Sequence, residues 1–432
     1  MHLLEYINEL DENQKNEYLS VLNNIDYELL SNVYENRNVK TLELNLYEPI
    51  ISDKLSDAEK IEMYNLGLQA IKNKEVACFL VAGGQGTRLG FDNPKGMYDI
   101  NLPSKKSLFE IYTEKLIYLY NKTNTYIDFY IMTSKDNHDQ TVKFFKDNNY
   151  FNYDKNHIKF FKQECLPAID LDGKIILKNK NEINFSPNGN GWCFKSLKQT
   201  GHLKEMIDNN IKWVFLFGVD NAICKVCDPI FIGYGIKKKA LGCSKVVKKR
   251  DPFEKVGVIC RKNNHPAIIE YSELTDEMRY LKDENGEYLY SNGNILNHLL
   301  HIDFIKQITS IYLPPHLAFK KIETIDKNGN PFHPTKENGY KIEYYLFDTF
   351  VYLDDLKALL VDRNEDFSPV KNSTGEDSPL EAKQKILNLH KKWLSKYNIQ
   401  DNYELDFKQV FDYYDLNEFN VDEILKNGKK YW

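Results

Sequence analysis

The run Val76-Ala77-Cys78-Phe79-Leu80-Val81, continued by Ala82-Gly83-Gly84-Gln85-Gly86-Thr87-Arg88-Leu89-Gly90, decides the fold. Six consecutive apolar residues make one strand, and the lack of polar alternation marks a parallel strand covered on both faces. Four glycines then fall within eight positions, from 83 to 90. Glycines take positive φ and let a ligand approach backbone N–H groups closely, which suits a cradle for phosphate oxygens.

Outward from this strand the pattern alternates between strand and helix, as in βαβ units around a mainly parallel sheet. Upstream, residues 1–74 read as helical throughout. Ser56 and Glu59 form a capping box, followed by Ile61, Tyr64, Leu68 and Ile71 as one apolar face. Downstream come a helix from Ser107, strands at 127–133 and near 158–161, a helix near 196–209, and a second buried strand, Trp213-Val214-Phe215-Leu216-Phe217. The core is expected to end near Val351. Ser378, Pro379 and Glu381 then announce a further helix. Three segments result: an N-terminal helical region at 1–74, a catalytic core at 75–352 and a shortened C-terminal domain at 353–432.

Composition bounds the function. The 432 residues carry a formal charge of −6, are 42% hydrophobic, and interleave 57 basic with 63 acidic side chains. That excludes a basic nucleic-acid arm and a disordered chain. The acidic N-terminus and the lack of a long apolar run predict a cytoplasmic protein without a membrane span. Seven dispersed cysteines read as reduced, buried thiols, Cys224 and Cys227 included.

In an open α/β sheet, ligands bind beyond the carboxyl ends of strands, so the loops after Val81 and Phe217 are the candidate site. The first lacks the G-K-[ST] of a P-loop, and Gly84, Gly86 and Gly90 miss the dinucleotide spacing G-x-G-x-x-G. Only six of the 57 basic residues are arginine, and one of them, Arg88, sits inside the glycine loop. Lys95 follows on the stiff turn Asn93-Pro94-Lys95-Gly96, close enough in sequence to join Arg88 on one polyphosphate.

The run LVAGGQGTRLG at 80–90, Pro94-Lys95-Gly96, Leu102-Pro103-Ser104, FFKQECLPA at 160–168, Pro187–Gly191, Val219-Asp220-Asn221, Gly293–His298 and Phe367–Asn372 occur in this order. Together they resemble the eukaryotic-type UDP-N-acetylhexosamine pyrophosphorylases over roughly residues 60–395. The resemblance implies a Rossmann-like, GT-A-like α/β nucleotidyltransferase core, a mostly parallel mixed sheet with flanking helices, beside small helical N-terminal and C-terminal parts. It implies that UTP and N-acetylglucosamine 1-phosphate give UDP-N-acetylglucosamine and pyrophosphate, with Mg²⁺ (or Mn²⁺) as cofactor. The protein is expected to be a monomer or weak homodimer.

By the same resemblance, Arg88, Lys95 and Lys371 serve the phosphates. Ala82, Gly83, Gly84, Gly86, Gln163, Gly189 and Asp220 bind the nucleotide, with Asp220 also the metal ligand. Asn190, Gly257, Glu270, Asn294 and Lys341 meet the sugar. If Lys371 comes from a separate C-terminal domain, closure of that domain completes the site. Asn188 replaces the family's usual Asp and Trp192 a usual Gly, which leaves the sugar preference open. The alternatives are a wider sugar range, taking N-acetylgalactosamine 1-phosphate or glucose 1-phosphate, and a catalytically silent nucleotide-sugar-binding protein.

Overall fold

The computed structural model describes residues 2–37, 46–413, 415–418 and 421–431. The part of the expected N-terminal helical region at 38–45 lies outside the described residues. By packing, the chain forms two compact units: Met1–Asn45, Gln163–Cys193 and Tyr312–Thr349 in one, and Leu46–Lys162, Phe194–Ile311 and Phe350–Trp432 in the other. Each unit therefore gathers separated stretches, whereas the sequence suggests three consecutive segments.

The larger unit is built on one sheet, with ten strands among the described residues. They are β1 (Tyr47–Pro49), β2 (Val76–Val81), β3 (Asp128–Thr133), β4 (Ile158–Lys162), β5 (Trp213–Gly218), β6 (Gly242–Lys248), β7 (Val258–Lys262), β8 (His265–Ile269), β9 (Asn292–His301) and β10 (Lys357–Leu360). The main path runs β1-β7-β9-β5-β2-β3-β4; β6 joins β9 to β10, and β8 pairs β7. From β5 to β4 the pairing is parallel. These strands carry the near-continuous apolar runs that two covered faces demand, and Phe79, Phe129, Phe215 and Phe217 are fully buried. At β9 the direction reverses, because β9 is antiparallel to both β5 and β6.

Three expectations are corrected here. Residues 1–74 are not helical throughout, since Tyr47–Pro49 extends the sheet beside β7. The core does not end near Val351, because β10 pairs in parallel with β6. The single helix expected at 196–209 is two, Cys193–Gln199 and His202–Asp208, parted at Gly201 with φ +82°.

Among the helices of the sheet's unit are α1 (Asp57–Lys72), α2 (Leu108–Thr123), α3 (Pro229–Lys238) and α4 (Pro379–Ser395). The Ser56–Glu59 capping box forms as expected, with both halves in place. The buried face of α1 is another matter: Met63, Gly67, Ala70 and Ile71 are inward, while Ile61 is 58% exposed. The cause is a close helix crossing. A Cβ on Gly67 would lie 1.9 Å from the Pro229 carbonyl oxygen, and one on Gly233 of α3 would lie 1.8 Å from that of Met63. Two small residues let the backbones touch, so the inward face is turned from the expected one: Ile71 is buried as expected, Tyr64 and Leu68 are half-buried, and Ile61 lies outside.

The smaller unit holds helices Glu12–Asn23 and Tyr27–Glu35 and a three-stranded antiparallel sheet of Ile169–Asp170, Gly339–Glu343 and His316–Lys320. The Tyr34 hydroxyl donates to the Leu171 carbonyl at 3.0 Å, fastening the second helix to this sheet's turn.

The crossing gives a test of packing. Gly233→Ala is expected to destabilise the protein by about 3 kcal/mol, the upper range for overpacking against a backbone that cannot yield. Urea unfolding of wild type and variant measures this, and a midpoint unchanged by the substitution contradicts the contact.

Candidate active site

The register of β2 and β5 sets Val81 beside Gly218, so both strands end at the same level. The Val219 N–H continues the pairing by donating to the Val81 carbonyl at 3.2 Å. Two loops therefore open side by side. The glycine loop is clipped across its base by a bridge between Gln85 and Pro94, with Gly86 N–H donating to Asn93 O (3.0 Å) and Lys95 N–H to Gly84 O (3.1 Å). Arg88 rides the arc on the short 3-10 turn Thr87–Leu89, and Lys95 opens the turn Lys95–Met97 on the return. Buried Asn137 steadies the strand exit: its Nδ2 donates to the Ala82 carbonyl at 2.9 Å and its Oδ1 accepts from Ser134 N–H.

The glycines divide by cause. A Cβ on Gly86 would fall 2.8 Å from Phe91, and its N–H is already held by Asn93, so Gly86 shapes the loop. A Cβ on Gly84 would meet nothing within 4 Å. Packing does not require that glycine, and its open side leaves the backbone accessible.

Arg88, Lys95, Asp220 and Lys371 line one cleft of about 330 Å³ with Gly84, Thr87, Gly218 and Leu296. Three cations face one carboxylate. Lys371 belongs to the same compact unit as the glycine loop, which corrects the expectation that closure of a separate C-terminal domain delivers it. Its segment is held by Val370 N–H donating to the Asp220 carbonyl at 2.8 Å. Burial pushes the Lys95 ammonium below lysine's usual range. The charges of Lys371 and Arg88 push the same way, against the pull of Asp220. An anion bound here would offset the mutual repulsion of the three cations.

Gly257, Glu270 and Asn294 also come together. Asn294 N–H donates to the Gly257 carbonyl at 2.8 Å, and Glu270 Oε1 lies 3.5 Å from where a Gly257 Cβ would stand. Burial, with Glu273 nearby, raises the Glu270 carboxyl above its ordinary range, and the Lys371 charge opposes the shift. In the smaller unit, Gln163 Nε2 donates to the Gly189 carbonyl at 2.8 Å. Gly189, at φ +78°, and Gly191 lie against Tyr344, whose carbonyl accepts the Gly191 N–H at 2.8 Å. Asn190 Oδ1 accepts from Leu346 N–H at 3.0 Å, and the Trp192 ring packs on Tyr344 with centroids 4.9 Å apart. Lys341 sits on the neighbouring strand Gly339–Glu343, partly exposed.

Leu296 was not legible in the sequence. It lines the cleft with φ +52°, uncommon for leucine, where β9 loses register with β6 between Ser244 and Val246. Asn294 Oδ1 supports the turn by accepting Leu296 N–H at 3.1 Å. The leucine explains Gly218, since a Cβ there would lie 2.6 Å from Leu296 Cδ2.

A mixed α/β sheet that presents a glycine loop and a cluster of cations at adjoining strand ends defines a nucleotidyltransferase type of phosphate site. The family profile described as UTP–glucose-1-phosphate uridylyltransferase matches residues 26–418, and the chain belongs to this family of UDP-sugar pyrophosphorylases. It is 41% identical over 360 residues to the UDP-N-acetylglucosamine pyrophosphorylase of Saccharomyces cerevisiae, covering 81% of this chain and 75% of that one. It is 36% identical over 398 residues to a probable UDP-N-acetylglucosamine pyrophosphorylase of Dictyostelium discoideum, covering 88% and 80%. Among solved structures, the uridine diphosphate N-acetylglucosamine pyrophosphorylase of Trypanosoma brucei, in complex with an inhibitor, superposes with a TM-score of 0.84 at 26% identity. That match covers 98% of this chain and 93% of the other.

Two outcomes are expected. Affinity for tripolyphosphate, measured by calorimetry, falls as pH rises through the Lys95 pKa, which lies below the ordinary 10.5. Lys95→Arg moves that fall to higher pH because a guanidinium stays charged; an unmoved limb assigns it to another group. Gly84→Ala keeps the wild-type unfolding midpoint yet weakens tripolyphosphate binding, whereas Gly86→Ala destabilises by about 1–3 kcal/mol. Wild-type affinity in Gly84→Ala removes the loop from the phosphate site.

Proposed function

We propose that this protein is a UTP:N-acetylglucosamine-1-phosphate uridylyltransferase, forming UDP-N-acetylglucosamine and pyrophosphate. The observation that carries the reading is the convergence of Arg88, Lys95 and Lys371 on one cleft at the ends of β2 and β5, in a chain with the kinship just described. A sugar-phosphate oxygen attacks the α-phosphorus of UTP, the bond to the bridging oxygen breaks, and pyrophosphate leaves in line. Two anions must meet and charge grows on the leaving group, so positioning and cationic stabilisation carry the catalysis.

In this reading Arg88 and Lys95 neutralise the departing β- and γ-phosphates, Arg88 by its two-pronged fork and Lys95 as a point charge. Lys371 meets the α-phosphate. The backbone of Ala82, Gly83 and Gly84 lies along the nucleotide. Gly257, Glu270 and Asn294 are assigned to the sugar, where hydroxyls and an acetamido group need directed hydrogen bonds.

The donor set also fits Mg²⁺ in one respect. Asp220 supplies a partly exposed carboxylate among the phosphate-binding cations, and a magnesium ion that keeps water and phosphate oxygens needs only one or two protein carboxylates. Among the described residues no group of three or more His, Cys, Asp or Glu side chains could hold a metal, so a dedicated protein cage is not the arrangement. Bound through Asp220, the ion would add positive charge to the triphosphate.

Pyrophosphate release from UTP and a panel of sugar 1-phosphates tests the reading. N-acetylglucosamine 1-phosphate is expected to support release faster than N-acetylgalactosamine 1-phosphate or glucose 1-phosphate, and excess chelator to stop it. Arg88→Ala and Lys95→Ala each lower kcat/KM by about 10²–10³-fold, the scale of a lost transition-state donor, with little change in Tm. No release with any sugar sinks the enzyme reading, and equal rates sink the sugar preference.

A further inference from the structure

Lys371 is held by a segment that belongs to no helix or strand. The helix Arg363–Asp366 ends before it and α4 begins after it. The loop after β5 holds 366–370, largely through one side chain, while the Lys371 N–H donates to the Asp377 carbonyl at 2.7 Å. Asn221 Nδ2 donates to the Asp366 carbonyl at 2.7 Å, while its Oδ1 accepts Ser368 N–H at 2.9 Å. The backbones join on either side, Ala222 N–H donating to Ser368 O at 3.1 Å and Val370 N–H to Asp220 O at 2.8 Å. Asn221 thus closes a ladder whose last rung places Lys371 beside Asp220.

Both ends of this clamp are anchored. The Asn221 carbonyl accepts the Tyr112 hydroxyl of α2 at 3.1 Å, and the same hydroxyl reaches the Val219 carbonyl at 2.9 Å. Across the clamp, the Asp366 carboxylate pairs at 2.5 Å with Lys245 Nζ, wholly buried on β6, which also pairs with Asp228 at 2.7 Å. Asn221 itself is 3% exposed. Its amide is committed to the 366–368 backbone, so it does not touch the substrate.

We propose that Asn221 is a positioning residue for the transfer reaction, setting the Lys371 ammonium against the α-phosphate through the 366–371 segment. This rests on the role given to Lys371 above. Aspartate at this position keeps an acceptor for Ser368 N–H but loses the donor to the Asp366 carbonyl, so only half of the clamp survives.

The test is a double-mutant cycle on the full chain, with kcat and KM for both substrates from pyrophosphate release and unfolding by urea for each variant. Asn221→Ala is expected to lower kcat about tenfold or more, as misplacement of a catalytic group does, with KM for UTP little changed. In a Lys371→Ala background the same substitution is expected to cost less than about threefold, because the group it positions is gone. Asn221→Asp falls between wild type and Asn221→Ala and serves the same cycle if the alanine variant does not fold. An equal loss in both backgrounds overturns the proposal and leaves Asn221 a general structural residue. If Lys371→Ala alone keeps wild-type kcat, the role of Lys371 fails first and the proposal falls with it.

Discussion

The parallel pairing of β2 with β5 is the constraint on which the site depends. Each strand is apolar along its whole length because helices cover both faces, and that burial fixes the pair in register. Register then decides chemistry: Val81 and Gly218 end level, so a glycine loop and an acidic loop emerge a strand's width apart. No side chain has to reach far for Arg88, Lys95 and Asp220 to share a cleft. The antiparallel partner β9 adds the third wall, where its bulge turns Leu296 into the cleft and brings Asn294 onto Gly257.

Three cations face one carboxylate, and Lys95 is depressed first by its burial, with the charges of Lys371 and Arg88 adding to the shift against the pull of Asp220. The fold holds the arrangement by tying the backbone carriers of those charges. Lys95 is fixed by the Gly84 carbonyl and Lys371 by the ladder to residues 220–222. Repulsion that cannot relax by loop movement is relieved by a bound polyanion, and most strongly by one whose charge grows during reaction. The nearby buried cluster differs in kind, because there Lys245 and Lys225 meet the carboxylates of Asp228 and Asp366.

Much of this was legible in the sequence. The runs at 76–81 and 213–217 read as buried strands because full burial leaves no alternation, and the glycine density with Arg88 marked the loop that lines the cleft. Tertiary choices stayed hidden. The inward face of α1 was legible only at Ile71, because backbone contact at Gly67 and Gly233 uses the smallest residues, which carry no apolar signal. Leu296 was invisible, since a bulge depends on the partner strand's register. The short strand at 47–49 and the late strand at 357–360 join the sheet through partners far away in sequence, which local pattern does not encode. Lys371 was named through resemblance, but its place in the same compact unit as the loop came only from packing.

The interleaving of the two compact units has a consequence for synthesis. The smaller unit needs Met1–Asn45, Gln163–Cys193 and Tyr312–Thr349 together, so its first helices leave the ribosome long before the strands they belong with. The loop of Gly189 and Gly191 must likewise wait for Tyr344, the residue it packs on. A nascent chain of this topology completes neither unit until its last third is made. Its early apolar segments therefore wait for their packing partners longer than those of a chain whose units are contiguous.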